Sequence, residues 1–440
     1  MPRLFGTDGI RGRAFEPPLD EATVRRLGAA LAVELSNGAS PRLLMAGDTR
    51  ASTSRLAAWL AESFGGAGGT VVWAGILPTL AVSHLLRKDA FDVGVVISAS
   101  HNPAHDNGIK VLAASGEKVE GTLEERLEAR MESLAPGTGP DLPEADRSLV
   151  EEYLDLVAAT HRDARPLRGL HVVVDEANGA ASGLARELLE RLGARVTAVA
   201  SDPDGENINA GCGATVPEHA REVVLTHGAD AGLALDGDAD RAILIDERGQ
   251  VFDGDDILLA WARALDRQGR LTGRGVVATV MSNFGLEKAL ADDGIRLVRC
   301  DVGDRSVWQT MRREGIVLGG EQSGHIICAE HGVTGDGLVT GSHILALAAA
   351  EGPLSALSGL ERYPQRLVNV PVRRKPPLEA EPLIGEETAR AERLLEGRGR
   401  VLIRYSGTEP LARVMVEADD PALTEELTTR LAEVIASVLG

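Results

Sequence analysis

Val93-Gly94-Val95-Val96-Ile97-Ser98-Ala99-Ser100-His101-Asn102-Pro103 begins as five apolar residues and breaks into hydroxyls, an imidazole and an Asn-Pro turn. An apolar run this short, rich in β-branched residues and bounded by turn formers, reads as a strand buried on both faces. Upstream the periodicity alternates. Leu80 to Leu86 has helical spacing, Thr70 to Trp73 is β-branched, Ser54 to Phe64 is helical through Leu56 and Leu60, and Leu43 to Ala46 is a short apolar strand. Before these, Asp20 is placed to cap a helix that carries Val24, Leu27, Leu31 and Leu35 on one face and stops at Asn37-Gly38. The order αβαβαβ predicts a mostly parallel sheet covered by helices, with ligands gathered beyond the carboxyl ends of its strands. Ser100 lies at such an end.

The alternation restarts twice. His171 to Asp175, Arg195 to Val199 and Gly232 to Leu235 read as strands, with helices from Ser182 and Pro217 between them. A third unit opens with a long apolar helix near Asp255, followed by strands at Val276 to Val280 and Ile316 to Gly319. These stretches are architectural echoes without a residue-level repeat. From Arg366 the pattern becomes strand, helix, strand, strand, helix. The expected organisation is three similar α/β domains with mixed or parallel sheets, at 1–155, 156–252 and 253–365, and a smaller α+β domain at 366–440.

The 440 residues hold 46 Lys+Arg against 66 Asp+Glu, a formal net charge of −20, and only 3% aromatics. That balance repels nucleic acid and anionic lipid, and it leaves few stacking platforms for bases. No stretch approaches the roughly 18 uncharged apolar residues of a spanning helix, and the N-terminus lacks an apolar leader core. The chain reads as cytoplasmic, with neither nucleic acid nor membrane as partner. Cys212, Cys300 and Cys328 are far apart and lack CxxC spacing, so they are expected to be inert thiols, neither disulfides nor zinc ligands.

Four motifs carry chemistry. Around Ser100 no G-x-S-x-G occurs, so a hydrolase triad fits poorly, whereas a phosphate-accepting serine fits. Asp236-Gly237-Asp238-Ala239-Asp240-Arg241, between apolar runs, concentrates three carboxylates at alternate positions and calls for a cation. A calcium EF-hand is excluded because Arg241 stands where that loop needs Gly and strands flank it. Mg²⁺ suits one or two carboxylates with phosphate oxygen, which a phosphoserine would supply. Gly320-Glu321-Gln322-Ser323-Gly324-His325 ends a strand with groups that hydrogen-bond vicinal hydroxyls. Arg404-Tyr405-Ser406-Gly407-Thr408-Glu409-Pro410 with Arg413 offers two guanidiniums, two hydroxyls and a flexible Gly to a dianionic phosphate.

In this order and spacing the four motifs resemble the α-D-phosphohexomutases over nearly the whole chain. Phe5-Gly6-Thr7-Asp8-Gly9-Ile10-Arg11-Gly12, Asp106-Asn107-Gly108-Ile109-Lys110 and Gln322 resemble the branch of that superfamily acting on glucosamine phosphates. Ser98 replaces the usual Thr, and Cys212-Gly213-Ala214-Thr215-Val216 departs from the usual Cys-Gly-Ser-Thr-His. The resemblance implies an isomerase that interconverts the 6- and 1-phosphates of a hexosamine through a phosphoserine and a 1,6-bisphosphate, on the route to UDP-N-acetylglucosamine and peptidoglycan. It implies Ser100 as the phosphoserine and, with Asp236, Asp238 and Asp240, as a Mg²⁺ ligand. Arg11, Lys110 and His101 become proton-transfer or charge-stabilising groups. Glu321, Ser323 and His325 become sugar readers, and Arg404, Ser406, Gly407, Thr408 and Arg413 hold the non-reacting phosphate. The oligomeric state is left open, with a homodimer admitted. Two alternatives stand beside this reading: a mutase of mannose and glucose phosphates, and a non-enzymatic binder of cations or sugar phosphates.

Overall fold

In the computed structural model, which describes residues 4–6, 8–36, 38–88, 90–406 and 409–440, Val93–Ile97 is a strand with all five residues buried. Numbered along the chain, the first sheet comprises β1 (Ile10–Arg13), β2 (Arg42–Gly47), β3 (Thr70–Ile76), β4 (Val93–Ile97) and β5 (Asp106–Ala113), in the order β1-β5-β4-β2-β3. β2 pairs parallel with β3 and β4, whereas β5 is antiparallel to β4, and β1 to β5. The sheet is mixed where the sequence pattern predicted mostly parallel pairing. β5 escapes an apolar-run reading because Asn107 and Lys110 interrupt it, yet both are fully buried and partnered by distant residues. The helix capped by Asp20 forms, the Asp20 side chain accepting from Thr23 N, and it ends at Leu35; the expected stop residue Asn37 lies outside the described residues.

The same winding recurs. β6 (His171–Asp175), β7 (Arg195–Val199), β8 (Ala231–Leu235), β9 (Ala242–Asp246) and β10 (Val251–Phe252) form a sheet in the order β10-β9-β8-β6-β7. β11 (Gly275–Thr279), β12 (Arg296–Cys300), β13 (Leu318–Gly320) and β14 (Ile326–Cys328) form another, β12-β11-β13-β14. Each time a central strand pairs parallel with two neighbours, and the last of these hands over to an antiparallel strand. The turn at that handover spans residues 98–105, 236–241 and 321–325 in the three sheets. Three of the four motifs therefore occupy one topological position, used three times.

One apolar cluster runs through all three sheets, from Leu44 and Val96 through Val172 and Leu233 to Val276 and Leu318. The helix Ser148–Ala158, from the segment joining the first two units, is bound into it: Tyr153 is fully buried and its hydroxyl donates to Asp336 (3.0 Å). The smaller C-terminal unit has a separate core. There β15 (Gln365–Pro371), β16 (Gly399–Tyr405) and β17 (Leu411–Ala418) pair antiparallel with β17 central, and the helices Pro382–Leu395 and Pro421–Leu439 complete the layer. It meets the third unit through polar bonds. Asn283 Nδ2 donates to Glu417 (3.2 Å), and Arg400 donates to the carbonyl of Ser282 (2.8 Å).

The long helix at Asp255 spans Gly254–Arg267, its start fixed by a capping box between Asp253 and Asp256. Gly254 N donates to the carbonyl of Gln322 (3.0 Å), and a Cβ on Gly254 would sit 1.9 Å from the Glu321 carbonyl oxygen. The 321–325 turn thus rests on a helix N-terminus that tolerates no side chain. Gly254→Ala is expected to destabilise the protein by about 1–3 kcal/mol, the usual cost of overpacking, and to raise KM more than it lowers kcat; thermal melts and steady-state kinetics check both.

Candidate active site

Ser100 is buried with φ +53°, a left-handed conformation that costs a side-chain-bearing residue of the order of 1–3 kcal/mol. Neighbours on every side impose it. Its N–H donates to Ser98 Oγ (3.0 Å), which donates to Asp48 (2.6 Å). Its carbonyl accepts from Arg50 (3.0 Å) and from Asn209 of the second unit (2.9 Å). Arg50 is itself buried, paired with Asp48 (2.9 Å), and also donates to the carbonyls of Asn102 (2.8 Å), Pro103 and Asp106 (3.0 Å). One guanidinium spends its donors on four loop carbonyls, a role Lys could not fill with a single point charge. The sequence reading passed over Arg50; its signal was the charged pair Asp48 and Arg50 directly after an apolar strand.

The geometry aims Ser100 at the aspartate turn. Ser100 Oγ donates to Asp236 Oδ2 at 2.6 Å, and His101 Nδ1 lies 3.3 Å from the same hydroxyl. Asp236, Asp238 and Asp240 are all buried, with one ligand oxygen of each within 4.8 Å of the others. Burial, then the Asp240 and Asp238 charges, push the Asp236 carboxyl well above the usual range. Asp238 Oδ2 accepts from Lys110 Nζ (2.6 Å) and from Thr79 Oγ1 (2.6 Å), which ties this turn to the first unit. Burial would lower the Lys110 ammonium, but Asp238, Asp8 and Asp240 together hold it above its ordinary value. Arg11 donates to the Ala99 carbonyl (3.3 Å) and pairs with Asp8. Burial opposes ionisation of Asp8, yet Lys110, Lys118 and Arg11 hold its carboxyl far below the usual range. Asp238 Oδ1 and Asp240 Oδ1 are buried without a hydrogen bond among the described residues. Three convergent carboxylates with spare oxygens fit a hard divalent cation.

The third turn faces the same space. A cavity of about 500 Å³ is lined by Arg11, His101, Lys118, Arg241, Glu321 and His325, among others. An adjoining cavity of about 710 Å³ shares Arg241 and Glu321 and extends to Gln322, Ser323, Thr215 and Asp253. Glu321 accepts from Gly303 N (3.0 Å), and Ser323 Oγ from the same turn donates to Glu321 (3.4 Å). His325 is buried; its Nε2 accepts from Gly335 N (3.0 Å), which turns Nδ1 toward Asp240, 3.6 Å away. His325 thereby links the 321–325 turn to the aspartate turn. Lys118, not singled out in the sequence, joins Asp8 to Asp304 (2.6 Å) and so the first unit to the third.

Arg404 and Arg413 face each other across the β16/β17 register. Ser406 is buried, its carbonyl accepts from Lys375 Nζ (2.6 Å), and its Oγ accepts from Glu409 N (3.3 Å). Gly407 and Thr408 lie outside the described residues. Neither cavity is lined by Arg404, Ser406 or Arg413, so the structure gathers the first three motifs and leaves the fourth on the separate C-terminal unit. Lys375, from the basic, Pro-containing stretch 373–377 after β15, is a further cation there that the sequence pattern leaves unassigned.

Three like-wound α/β units converging a serine, a carboxylate triad and a Glu-Ser-His turn on one cleft, with a small α+β unit beyond, define a phosphohexomutase, an isomerase-type phosphotransferase. Residues 2–137, 151–249 and 253–363 match phosphoglucomutase/phosphomannomutase alpha/beta/alpha domains I, II and III, and residues 367–434 match the C-terminal domain. The chain belongs to this family. A phosphoglucosamine mutase of Symbiobacterium thermophilum is 46% identical over the full length of both chains. A solved phosphoglucomutase/phosphomannomutase family protein of Burkholderia thailandensis superposes with a TM-score of 0.82 at 25% identity, covering 99% of this chain and 97% of that one. The N-acetylphosphoglucosamine mutase of Aspergillus fumigatus, solved with GlcNAc-6P and magnesium, shares the fold at a TM-score of 0.62 and 19% identity, covering 99% and 96%.

Two expectations follow from the buried polar framework. Arg50→Lys is expected to lower kcat by about one to two orders of magnitude, the cost of an ångström-scale misplacement of reacting groups, with a smaller change in KM; steady-state kinetics on folded variant protein measures it. The second concerns Asp255, whose Oδ2 accepts from Gln322 Nε2 (3.2 Å) and from Asn283 N (2.8 Å). Burial, with Asp253 adding to it, pushes the Asp255 carboxyl up to about 7. A raised acid stabilises the fold while protonated, and that contribution is lost as pH rises through the folded value. The Tm of Asp255→Asn relative to the natural protein should therefore be more favourable at about pH 8 than at about pH 5, and a constant difference would reject the assignment.

Proposed function

We propose that this chain interconverts glucosamine 6-phosphate and glucosamine 1-phosphate, the reaction of its phosphoglucosamine mutase relatives, through a phosphorylated Ser100 and a hexosamine 1,6-bisphosphate. The observation that carries the proposal is the 2.6 Å bond from Ser100 Oγ to Asp236, which sets the only chain hydroxyl in hydrogen-bond contact with the carboxylate triad, among the described residues, besides Thr79. Ser100 differs from Thr79 in lying beside His101, which lines the cleft.

Asp236, Asp238, Asp240 and an oxygen on Ser100 would hold Mg²⁺, which when bound supplies Lewis-acid neutralisation of the transferring phosphoryl oxygens. The remaining work belongs to the chain. In the first half-reaction the Ser100 O–P bond breaks and the phosphorus bonds to the free hydroxyl oxygen of the sugar phosphate, whose proton passes to a group of the cleft. The second half-reaction returns the other phosphate to Ser100 by the same path reversed. Arg11 and Lys110 stabilise charge on the phosphoryl group. His101, kept below its ordinary value by burial and by Arg241 and Arg11, is suited to accept a proton. Glu321 and Ser323 read ring hydroxyls, and His325 fixes their turn against Asp240. Each of the four units, taken as 1–155, 156–252, 253–365 and 366–440, contributes one loop. Arg404, Ser406, Gly407, Thr408 and Arg413, with Lys375 nearby, anchor the phosphate that is not reacting. The pathway role, toward UDP-N-acetylglucosamine in the cytoplasm, rests on the same reading.

The test couples chemistry to specificity. Ser100→Ala is expected to abolish turnover while leaving the fold intact, and phosphopeptide mapping of the natural protein is expected to place label on Ser100. Label on Ser98 instead would overturn the nucleophile. In a substrate panel, kcat/KM should favour glucosamine 1-phosphate over glucose and mannose 1-phosphates; equal or reversed preference would move the chain to the glucose and mannose branch of its family.

A further inference from the structure

We propose that Cys328, Glu330 and His331 form a second metal site, selective for a thiophilic divalent cation of which Zn²⁺ is the best fit. It lies at the end of β14 opposite the sugar turn. One donor atom from each residue lies within 4.8 Å of the others, which is close enough for one ion after small side-chain rotations. Thiol, imidazole and carboxylate together are a borderline-soft set that suits zinc and is poor for magnesium.

The main chain is already folded round the cysteine. The N–H groups of His331 and Gly332 both donate to the Cys328 carbonyl, at 2.9 and 3.0 Å. A turn closed on the Cys328 carbonyl brings in the His331 ligand three residues later. CxxC spacing is absent from the sequence, but Cys328-Ala329-Glu330-His331 supplies the same three-residue interval with imidazole as the second ligand.

His331 lines a cavity of about 340 Å³, together with His161, His343 and Trp261, so solvent reaches the imidazole side of the cluster. Stacking of His331 on His343 (centroids 4.6 Å apart) restrains its ring. Two costs oppose binding. Glu330 is paired with Arg270, but both are about one-third exposed, so the exchange is cheap. Burial pushes the Cys328 thiol up to about 12. Cation uptake must therefore break the S–H bond, form the metal–sulfur bond and release one proton to solvent, which makes binding stronger as pH rises.

The experiment uses the full chain, stripped with chelator and titrated with Co²⁺ as the spectroscopic stand-in for Zn²⁺. The expected result is a near-ultraviolet thiolate-to-cobalt charge-transfer band that saturates at one equivalent beyond any held by the aspartate turn, bleached by Zn²⁺ and absent from Cys328→Ser, while Cys212→Ser leaves it unchanged. Absence of the band at saturating Co²⁺, or its survival in Cys328→Ser, overturns the site. If the serine variant does not fold, Glu330→Gln and His331→Gln replace it. Weakening of Co²⁺ binding by about tenfold or more in both supports the site, and unchanged binding in either overturns it. Mutase turnover with Mg²⁺ should be unaffected in Cys328→Ser, which separates this proposal from the catalytic one.

Discussion

Three carboxylates buried within one small volume repel each other strongly, and the fold is organised to make that arrangement tolerable. Lys110 comes from β5, Thr79 from the helix Thr79–Lys88, Arg241 from the turn itself and His325 from the third unit. No single domain could assemble that set. The cost of burying Asp236, Asp238 and Asp240 is met by groups from three units, so the charge cluster also fixes how those units sit against each other. Removing one partner of such a buried network is far more costly than removing a surface pair.

A second framework holds Ser100. Arg50 and Asn209 reach the same two carbonyls, Ser100 and Asn102, from different units. The left-handed Ser100 is thus overdetermined, and its hydroxyl has little choice of direction. The aspartate turn has a similar device in Ala239, also left-handed at φ +56°. Backbone strain is concentrated where two chemical groups must meet, and the surrounding hydrogen bonds offset it.

Much of this could be read from the sequence, for identifiable reasons. The apolar strands β4, β6, β8 and β11 are uninterrupted and short, and they fell close to their observed positions. The turns after β4, β8 and β13 hold unusual densities of hydroxyl or carboxyl groups, which draws attention to Ser100, the aspartates and Glu321. The antiparallel β1 and β5 could not be read. Gly12 and Arg13 break the apolar pattern of β1, and Asn107 and Lys110 break that of β5, where only partners far along the chain make such residues compatible with burial. Arg50, Lys118 and Lys375 were missed for a related reason: a lone basic residue looks like surface until the carbonyls or carboxylates around it are known. For the fourth motif, the sequence names the groups but not their distance from the cleft.

The recurring handover from parallel to antiparallel strand has an evolutionary consequence. What three successive units must share to keep it is a backbone hydrogen-bonding pattern, and many different apolar β-branched sequences satisfy that pattern equally well. Descent from one duplicated ancestor would therefore leave the winding intact while erasing the letters, as the absence of a residue-level repeat requires. It would also leave each copy's turn free to take its own trade. One carries a serine, one three carboxylates and one a Glu, a Ser and a His, so that a division of labour is open to copies of a single inherited bend.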